Sequence, residues 1–246
     1  MGVTVRFLGT GDAFNASGRC HASYLVSAPA YSILLDCGSS ALLAMKRDGL
    51  PVEALDAVFV SHLHGDHFSG LPFLFLSWNY ETPRQRPVTI VGPPGTEERV
   101  NALFRAMYRD LASKPLPYEV RYVEVGGGQS TAVGPVQLLP FVVPHQETET
   151  SLGVRATVDG KVVVYSGDTG WTEVLVEQSQ GADLFICECC YYETRTSFHL
   201  DYPRIAEHRA RFGCRRLILS HVGREVLARR HEIDAELARD GLAVEL

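Results

Sequence analysis

No apolar run in this 246-residue chain approaches the roughly 18 residues that a membrane-spanning helix requires, so none is expected. Six cysteines are too few to frame a disulfide scaffold in a chain of this length. Cys187, Cys189 and Cys190 have no matching Cys-x-x-Cys pair elsewhere to complete a structural zinc site, and they read as buried reduced thiols. Positive charge is in deficit: 23 Lys and Arg against 29 Asp and Glu leave a net charge of −6. General attraction to nucleic acid or anionic lipid is thereby excluded, and such binding would need a local basic patch. The only basic cluster is Arg209, Arg211, Arg215 and Arg216, which reads as a solvated helix end. No Pro/Gly/Ser linker, low-complexity segment or short repeat divides the chain, so one domain over residues 1–246 is expected. The start, Met-Gly-Val-Thr-Val-Arg, has no basic region leading into an apolar core, and Arg6 argues against myristoylation. The expected location is the cytoplasm.

What is present is an alternation of short apolar runs with helical patterns. Strands are expected at 3–8, 23–26, 32–35, 57–60, 88–91, 119–125, 136–143, 153–158, 162–165, 184–187 and 217–219. The pairs within 23–35, 136–158 and 153–165 are close enough for antiparallel hairpins, and Asp159-Gly160 is a strong hairpin turn. Helices are expected at 39–47, 96–111, 171–178, 202–212 and 224–239, with a further apolar helix-like stretch over 68–80. In the second, Val100, Leu103, Phe104, Met107 and Leu111 recur at helical spacing and predict a core face. The whole predicts an α/β protein of mixed sheets with helices outside.

The densest chemistry is the run Ser-His-Leu-His-Gly-Asp-His, which puts His62, His64, Asp66 and His67 directly after the apolar run Ala57-Val58-Phe59-Val60. A tight turn at a strand end throws all four toward the edge where open α/β sheets place their sites. Neutral imidazole and carboxylate suit zinc, manganese or iron, and four such groups exceed what one catalytic zinc takes from a protein. The surplus predicts two metals. Downstream, His145 follows the strand ending at Val143, Asp168 follows the strand ending at Tyr165, and His221 follows Leu217-Ile218-Leu219-Ser220. Three further strands each finish in a metal-capable residue.

This ordered set, strand-His-x-His-x-Asp-His, a later His, Gly-Asp-Thr and a terminal strand-His, resembles the metallo-β-lactamase superfamily over essentially the whole chain. Phe7-Leu8-Gly9-Thr10-Gly11, Leu35-Asp36-Cys37-Gly38 and Ser220-His221-Val222-Gly223-Arg224 are similar to the tRNase Z and cyclic-phosphodiesterase branch. The resemblance implies a four-layer αββα sandwich of two mixed β-sheets flanked by helices. It also implies that His62, His64 and His145 hold one ion, that Asp66, His67 and His221 hold the other, and that Asp168 bridges them. The ions would be zinc, with manganese as the alternative, and the nucleophile a metal-held hydroxide. Asp66 would also orient that hydroxide, and Asp36 is a candidate to fix a ligand's second ring nitrogen. His64 completes an all-nitrogen trio, where the redox branch carries a carboxylate.

Beyond the ligands, His199 is the candidate general acid and Glu188 the carboxylate that orients it. Leu200 and Asp201 depart there from the small and hydroxyl residues of the tRNase Z pattern. Arg224 fits either a phosphate-binding guanidinium or a plain surface arginine. His21, His208 and His231 carry no motif and read as structural or exposed. The 23 positions from His145 to Asp168 leave no room for the tRNA-gripping arm that a true tRNase Z inserts there. The leading expectation is therefore a dinuclear metal-dependent phosphodiesterase acting on a small-molecule, cyclic or nucleotide phosphodiester, or on short RNA. The alternative is a carboxyl-ester, thioester or lactone hydrolase with its acyl pocket along 68–80. A third reading, a non-catalytic binding module that retains metal, sits poorly with the complete ligand set. The resemblance also admits a homodimer, although no segment announces an interface.

Overall fold

The computed structural model describes residues 2–246. The N-terminal half builds one sheet from β1 (Thr4–Gly9), β2 (Ser23–Ala28), β3 (Tyr31–Leu35), β4 (Ala57–Phe59), β5 (Val88–Gly92) and β6 (Val120–Glu124). The second half builds another from β7 (Thr131–Val133), β8 (Val136–Val142), β9 (Leu152–Val158), β10 (Lys161–Tyr165), β11 (Leu184–Glu188), β12 (Arg216–Ser220) and β13 (Glu236–Leu237). The last strand, β14 (Ala243–Glu245), returns to cover the free edge of β1. Each sheet has seven strands and is mixed: hairpins at one side, parallel strands joined by helical crossovers at the other. Among the hairpins, Asp159 (φ 48) and Gly160 (φ 76) make the two-residue turn between β9 and β10.

The helices are α1 (Ala41–Arg47), α2 (Gly65–Phe68), α3 (Leu71–Tyr80), α4 (Thr96–Met107) and α5 (Arg109–Ala112) beside the first sheet. Beside the second lie α6 (Val174–Ser179), α7 (Tyr202–His208) and α8 (Arg224–Ala228). The strands read as unbroken apolar runs because both faces of each sheet are covered. Their period of two splits them between layers. Ile33, Leu35, Phe59, Ile186 and Ile218 point into the core between the sheets, with Phe7, Tyr24 and Tyr165. Leu34 and Val58 face the helical layer of Met45, Trp78 and Phe104, while Phe185 and Leu219 face that of Leu175, Ile205 and Val226. The architecture is thus the αββα sandwich of the metallo-β-lactamase fold.

Two helices differ from their sequence pattern. The run 96–111 breaks at Tyr108 (φ −136, ψ 63), which leaves Met107 36% exposed instead of in the core. The run 224–239 is helical only to Ala228. Its remainder passes through a tight turn at Arg230–Glu232 into β13, which pairs in parallel with β12 at Ile218↔Glu236 and Leu219↔Leu237. Covering the open edge of β12 outweighs a helical propensity of a few tenths of a kcal/mol per residue.

Candidate metal centre

The candidate ligands come from both halves of the chain and meet at one edge of the sandwich. His62 lies three residues beyond β4, and α2 begins at once after His64, so Asp66 and His67 turn back over the strand end. From the second sheet come His145 after β8, Asp168 after β10 and His221 directly after β12. The turn before Asp168 depends on Gly167 (φ +61), where a Cβ would lie 2.4 Å from the carbonyl oxygen of Leu152. His221 itself is left-handed (φ 51), as is Asp36 (φ 59). Non-glycine residues held there mark a site whose surroundings impose the conformation.

The candidate ligand atoms form two groups around one shared oxygen. His62 Nε2 and His145 Nε2 each lie 3.1 Å from His64 Nδ1, and both lie 3.9 Å from Asp168 Oδ2. On its other side the same oxygen is 3.2 Å from His67 Nε2 and 3.3 Å from His221 Nε2. Asp66 Oδ2 completes that group, 3.1 Å from His67 Nε2 and 3.5 Å from His221 Nε2.

In three of the imidazoles the ring nitrogen that faces away is held by a hydrogen bond, which fixes the tautomer, whereas His221 Nδ1 is buried without a partner among the described residues. His67 Nδ1 donates to Asp36 Oδ2 (2.7 Å), His145 Nδ1 to the carbonyl of Phe198 (2.8 Å) and His62 Nδ1 to Ser61 Oγ (3.0 Å). Asp36 is wholly buried and anchors the floor of the site: it also accepts from Ser61 N, Ser61 Oγ and Tyr165 OH, each at 2.7 Å. The amide of Gln146 lies 3.0 Å from His64 Nε2.

Three atoms of these side chains, His67 Nε2, Asp168 Oδ1 and His221 Nδ1, are buried with no hydrogen-bond partner among the described residues. Buried polar atoms are normally paired, and leaving one unpaired costs about 1–3 kcal/mol. The charge pattern points the same way. Burial holds His62 and His145 below the ordinary imidazole pKa, so both are neutral donors. Burial opposes charging of His67 and His221 too, but the Asp168 carboxylate, with Asp66 beside it, raises both. The carboxylates demand positive charge in their midst. Five imidazole nitrogens and two carboxylates around unpaired atoms fit divalent cations.

His199 and Glu188 stand beside this cluster. A ring nitrogen of His199 lies within 4.8 Å of the donor atoms of His145 and Asp168, and His199 Nδ1 is 2.8 Å from Glu188 Oε1. Burial would lower the His199 pKa, but the adjoining Glu188 carboxylate raises it to about 9. Glu188, buried at the end of β11, is itself gripped by the backbone N–H groups of Thr169 (2.7 Å), Cys190 (3.2 Å) and Leu200 (3.2 Å). The departures at Leu200 and Asp201 have structural causes: Leu200 packs in the outer core of the second sheet, and Asp201 caps α7 through Arg204 N (2.9 Å).

Sequence reasoning did not find Tyr165, Ser61, Gln146 or the Phe198 carbonyl. Tyr165 and Ser61 sit within three residues of ligands at strand ends, a signal that was available. The histidines without a motif lie elsewhere: His208 stacks on Trp171 at 3.9 Å, His21 contacts Ser39 and His231 is exposed. Cys187, Cys189 and Cys190 are buried and free.

This fold and donor set define a metal-dependent hydrolase of the metallo-β-lactamase superfamily, on its tRNase Z-like branch. Within it, the chain belongs to the family described as anti-Pycsar protein Apyc1, whose model matches residues 3–237. It is 28% identical to a ribonuclease Z of Lachnoclostridium phytofermentans over 89% of this chain and 87% of the relative. To a ribonuclease Z of Mycobacterium bovis it is 31% identical over 75% of this chain and 69% of the relative. The structure of the short form of human tRNase Z superposes with a TM-score of 0.78, covering 98% of each chain at 22% identity.

Proposed function

We propose that the protein is a dinuclear phosphodiesterase for small, cyclic or nucleotide phosphodiesters. His62, His64 and His145 would hold one ion and Asp66, His67 and His221 the other, with Asp168 available to both. The observation that carries this reading is the position of Asp168 Oδ2 between the two groups of ring nitrogens. Zinc suits the nitrogen-rich set, with manganese as the alternative. Such a pair of cations lowers the pKa of water at the site and offsets charge on the phosphoryl oxygens.

The chain's own residues then divide the remaining work. Asp36, Ser61 and the Phe198 carbonyl keep the imidazole lone pairs turned inward. His199, protonated at neutral pH, gives its proton to the leaving alkoxide, and Glu188 holds the ring for that transfer. Long structured RNA is disfavoured as a substrate. Residues 145–168 are consumed by the β9–β10 hairpin, which belongs to the second sheet. Three of the four clustered arginines face carboxylates: Arg211 pairs with Glu173, Arg215 with Asp183 and Arg216 with Glu236. The acyl-hydrolase alternative loses its pocket, because Leu71, Leu74, Phe75 and Trp78 of α3 are buried beneath the first sheet.

Hydrolysis of bis(p-nitrophenyl) phosphate under titration with Zn²⁺ and Mn²⁺ tests the proposal. Turnover should follow the metal and disappear in Asp168→Ala, whose bound metal, measured by elemental analysis, should also fall. A wild-type protein that holds two metals yet leaves the diester intact would sink the phosphodiesterase reading. Full activity and full metal content in Asp168→Ala would remove the bridging role.

A further inference from the structure

One of the candidate imidazoles offers the cluster a different atom from the rest. His62, His145, His67 and His221 present Nε2, whereas His64 presents Nδ1, 3.1 Å from His62 Nε2 and from His145 Nε2. A neutral imidazole carries one ring proton, so a ring whose Nδ1 gives its lone pair to an ion must carry that proton on Nε2. His64 Nε2 then needs an acceptor. The group it meets is the side-chain amide of Gln146, 3.0 Å away, in the residue that follows His145.

The two ends of that amide face two partners. Gln146 Nε2 lies against His64 Nε2, and Gln146 Oε1 accepts from the Ser151 hydroxyl (3.2 Å). In this orientation the amide donates to His64 Nε2, which leaves the His64 proton on Nδ1, aimed at two other ring nitrogens. That tautomer does not ligate. A half-turn of the amide reverses every role: Oε1 accepts from His64 Nε2–H, and Gln146 Nε2 donates to Ser151 Oγ. The ends of a primary amide are nearly equal in size and a hydroxyl both donates and accepts, so the turn leaves neither partner without a bond. The surrounding loop keeps Gln146 in reach of both. Ser151 is buried and its carbonyl accepts from Val143 N (3.0 Å), Pro144 O accepts from Gly170 N (2.7 Å), and Arg99 of α4 pairs with Glu149.

We propose that Gln146 is a positioning residue for the ion of His62, His64 and His145. Its amide carbonyl, with Ser151 satisfying the other end, fixes His64 in the tautomer that ligates through Nδ1. The proposal rests on the dinuclear reading and adds to it the residue that sets the donor atom of His64. Partners of this kind are worth about 10–100-fold in metal affinity. His64 is exposed, so water replaces part of a lost acceptor and the effect belongs at the lower end of that range.

Withdrawal of zinc from the loaded full-length protein by a chromogenic chelator tests it, because affinity is read without turnover. Wild type and Gln146→Glu both present an acceptor to His64 Nε2–H. Gln146→Met presents none, and Gln146→Asp carries the charge of glutamate on an arm one methylene shorter, which separates charge from contact. Gln146→Met and Gln146→Asp should each hold one of the two zinc ions about tenfold more weakly than the wild type. Gln146→Glu should bind more tightly than Gln146→Asp, at or above the wild-type affinity. A Gln146→Met protein as tight as the wild type, or a Gln146→Glu protein no tighter than Gln146→Asp, overturns the role of Gln146 while two-ion uptake by the wild type stands. A wild type that takes up no second ion overturns both readings.

Discussion

His199 shows how much of this site is set by single contacts. Its ring is half in the site and half against Glu188, and the 2.8 Å hydrogen bond to that carboxylate keeps it protonated to about pH 9. A general acid works only while it carries its proton, so turnover of substrates with poor leaving groups should fall as pH rises through about 9. Glu188→Gln removes the charge that raises the pKa, and should move that falling limb to lower pH. His199→Ala should keep its metal and lose about 10²–10⁴-fold in turnover on an alkyl leaving group, with a much smaller loss on p-nitrophenolate. An equal loss on both leaving groups, or a pH profile unmoved by Glu188→Gln, would exclude proton donation by His199. The residues of this scale were unevenly legible. Each candidate ligand announced itself because a ligand-capable side chain directly followed an apolar strand. Gln146 and the Phe198 carbonyl had no such signal, since what they touch is fixed by packing between segments distant in the chain.

Elements matter through the links between them, and the link least visible in the sequence is Glu225. It stands in α8, four residues after His221, and its carboxylate accepts from the backbone N–H groups of Tyr192 (3.1 Å), Glu193 (2.8 Å) and Thr194 (3.0 Å) and from Thr194 Oγ1 (2.6 Å). The strand end bearing His221 is thereby tied to the segment that leads to His199. Burial alone would raise the Glu225 pKa, but the Thr194 hydroxyl and the three N–H groups hold it at about 2. A depressed carboxylate pKa contributes stability that is present above the unfolded value, near 4.3, and is lost as pH falls through about 2. The melting-temperature gap between wild type and Glu225→Gln should accordingly be open at pH 5–7 and close toward pH 2. Glu225→Ala should retain metal and lower turnover by roughly tenfold through a looser His199 segment. A gap that persists at pH 2 would mean that the charge is not what the loop binds. The C-terminal misreading belongs to the same scale. Ile233, Ala235 and Leu237 look helical in isolation, but they pack on the outer core of the second sheet while β13 covers β12. Pairing partners of that kind lie outside any local window.

At the scale of the whole molecule, the alternation of apolar runs made mixed sheets with outer helices legible, and the two-sheet sandwich followed only from the family resemblance that the ordered motifs carry. The closure by β14 was not legible: three residues, Ala243–Glu245, are too short to register as a strand before β1 offers them an edge. The edge that carries the candidate ligands is cross-linked by polar contacts between the sheets, with Tyr165 OH donating to Asp36, Tyr24 OH to Ser220 Oγ and Leu152 N to Ser61 O. Cations held by His62, His64, Asp66 and His67 of the first half and His145, Asp168 and His221 of the second would join the same two sheets. Without them, the carboxylates of Asp66 and Asp168 have only the imidazoles of His67 and His221 to oppose them. Ions that bind only the folded state stabilise it by RT ln(1 + [L]/Kd), about 4 kcal/mol at a thousandfold excess over Kd. For a chain of this size that corresponds to roughly 8–16 °C in Tm. Exhaustive chelation should therefore lower Tm by that order, and readdition of Zn²⁺ should restore it in proportion to the logarithm of free metal. The same titration on Asp168→Ala should show a markedly smaller shift. A Tm unchanged by chelation, with metal loss verified by elemental analysis, would show that the sheets hold together at this edge without ions and would confine the cations to chemistry alone.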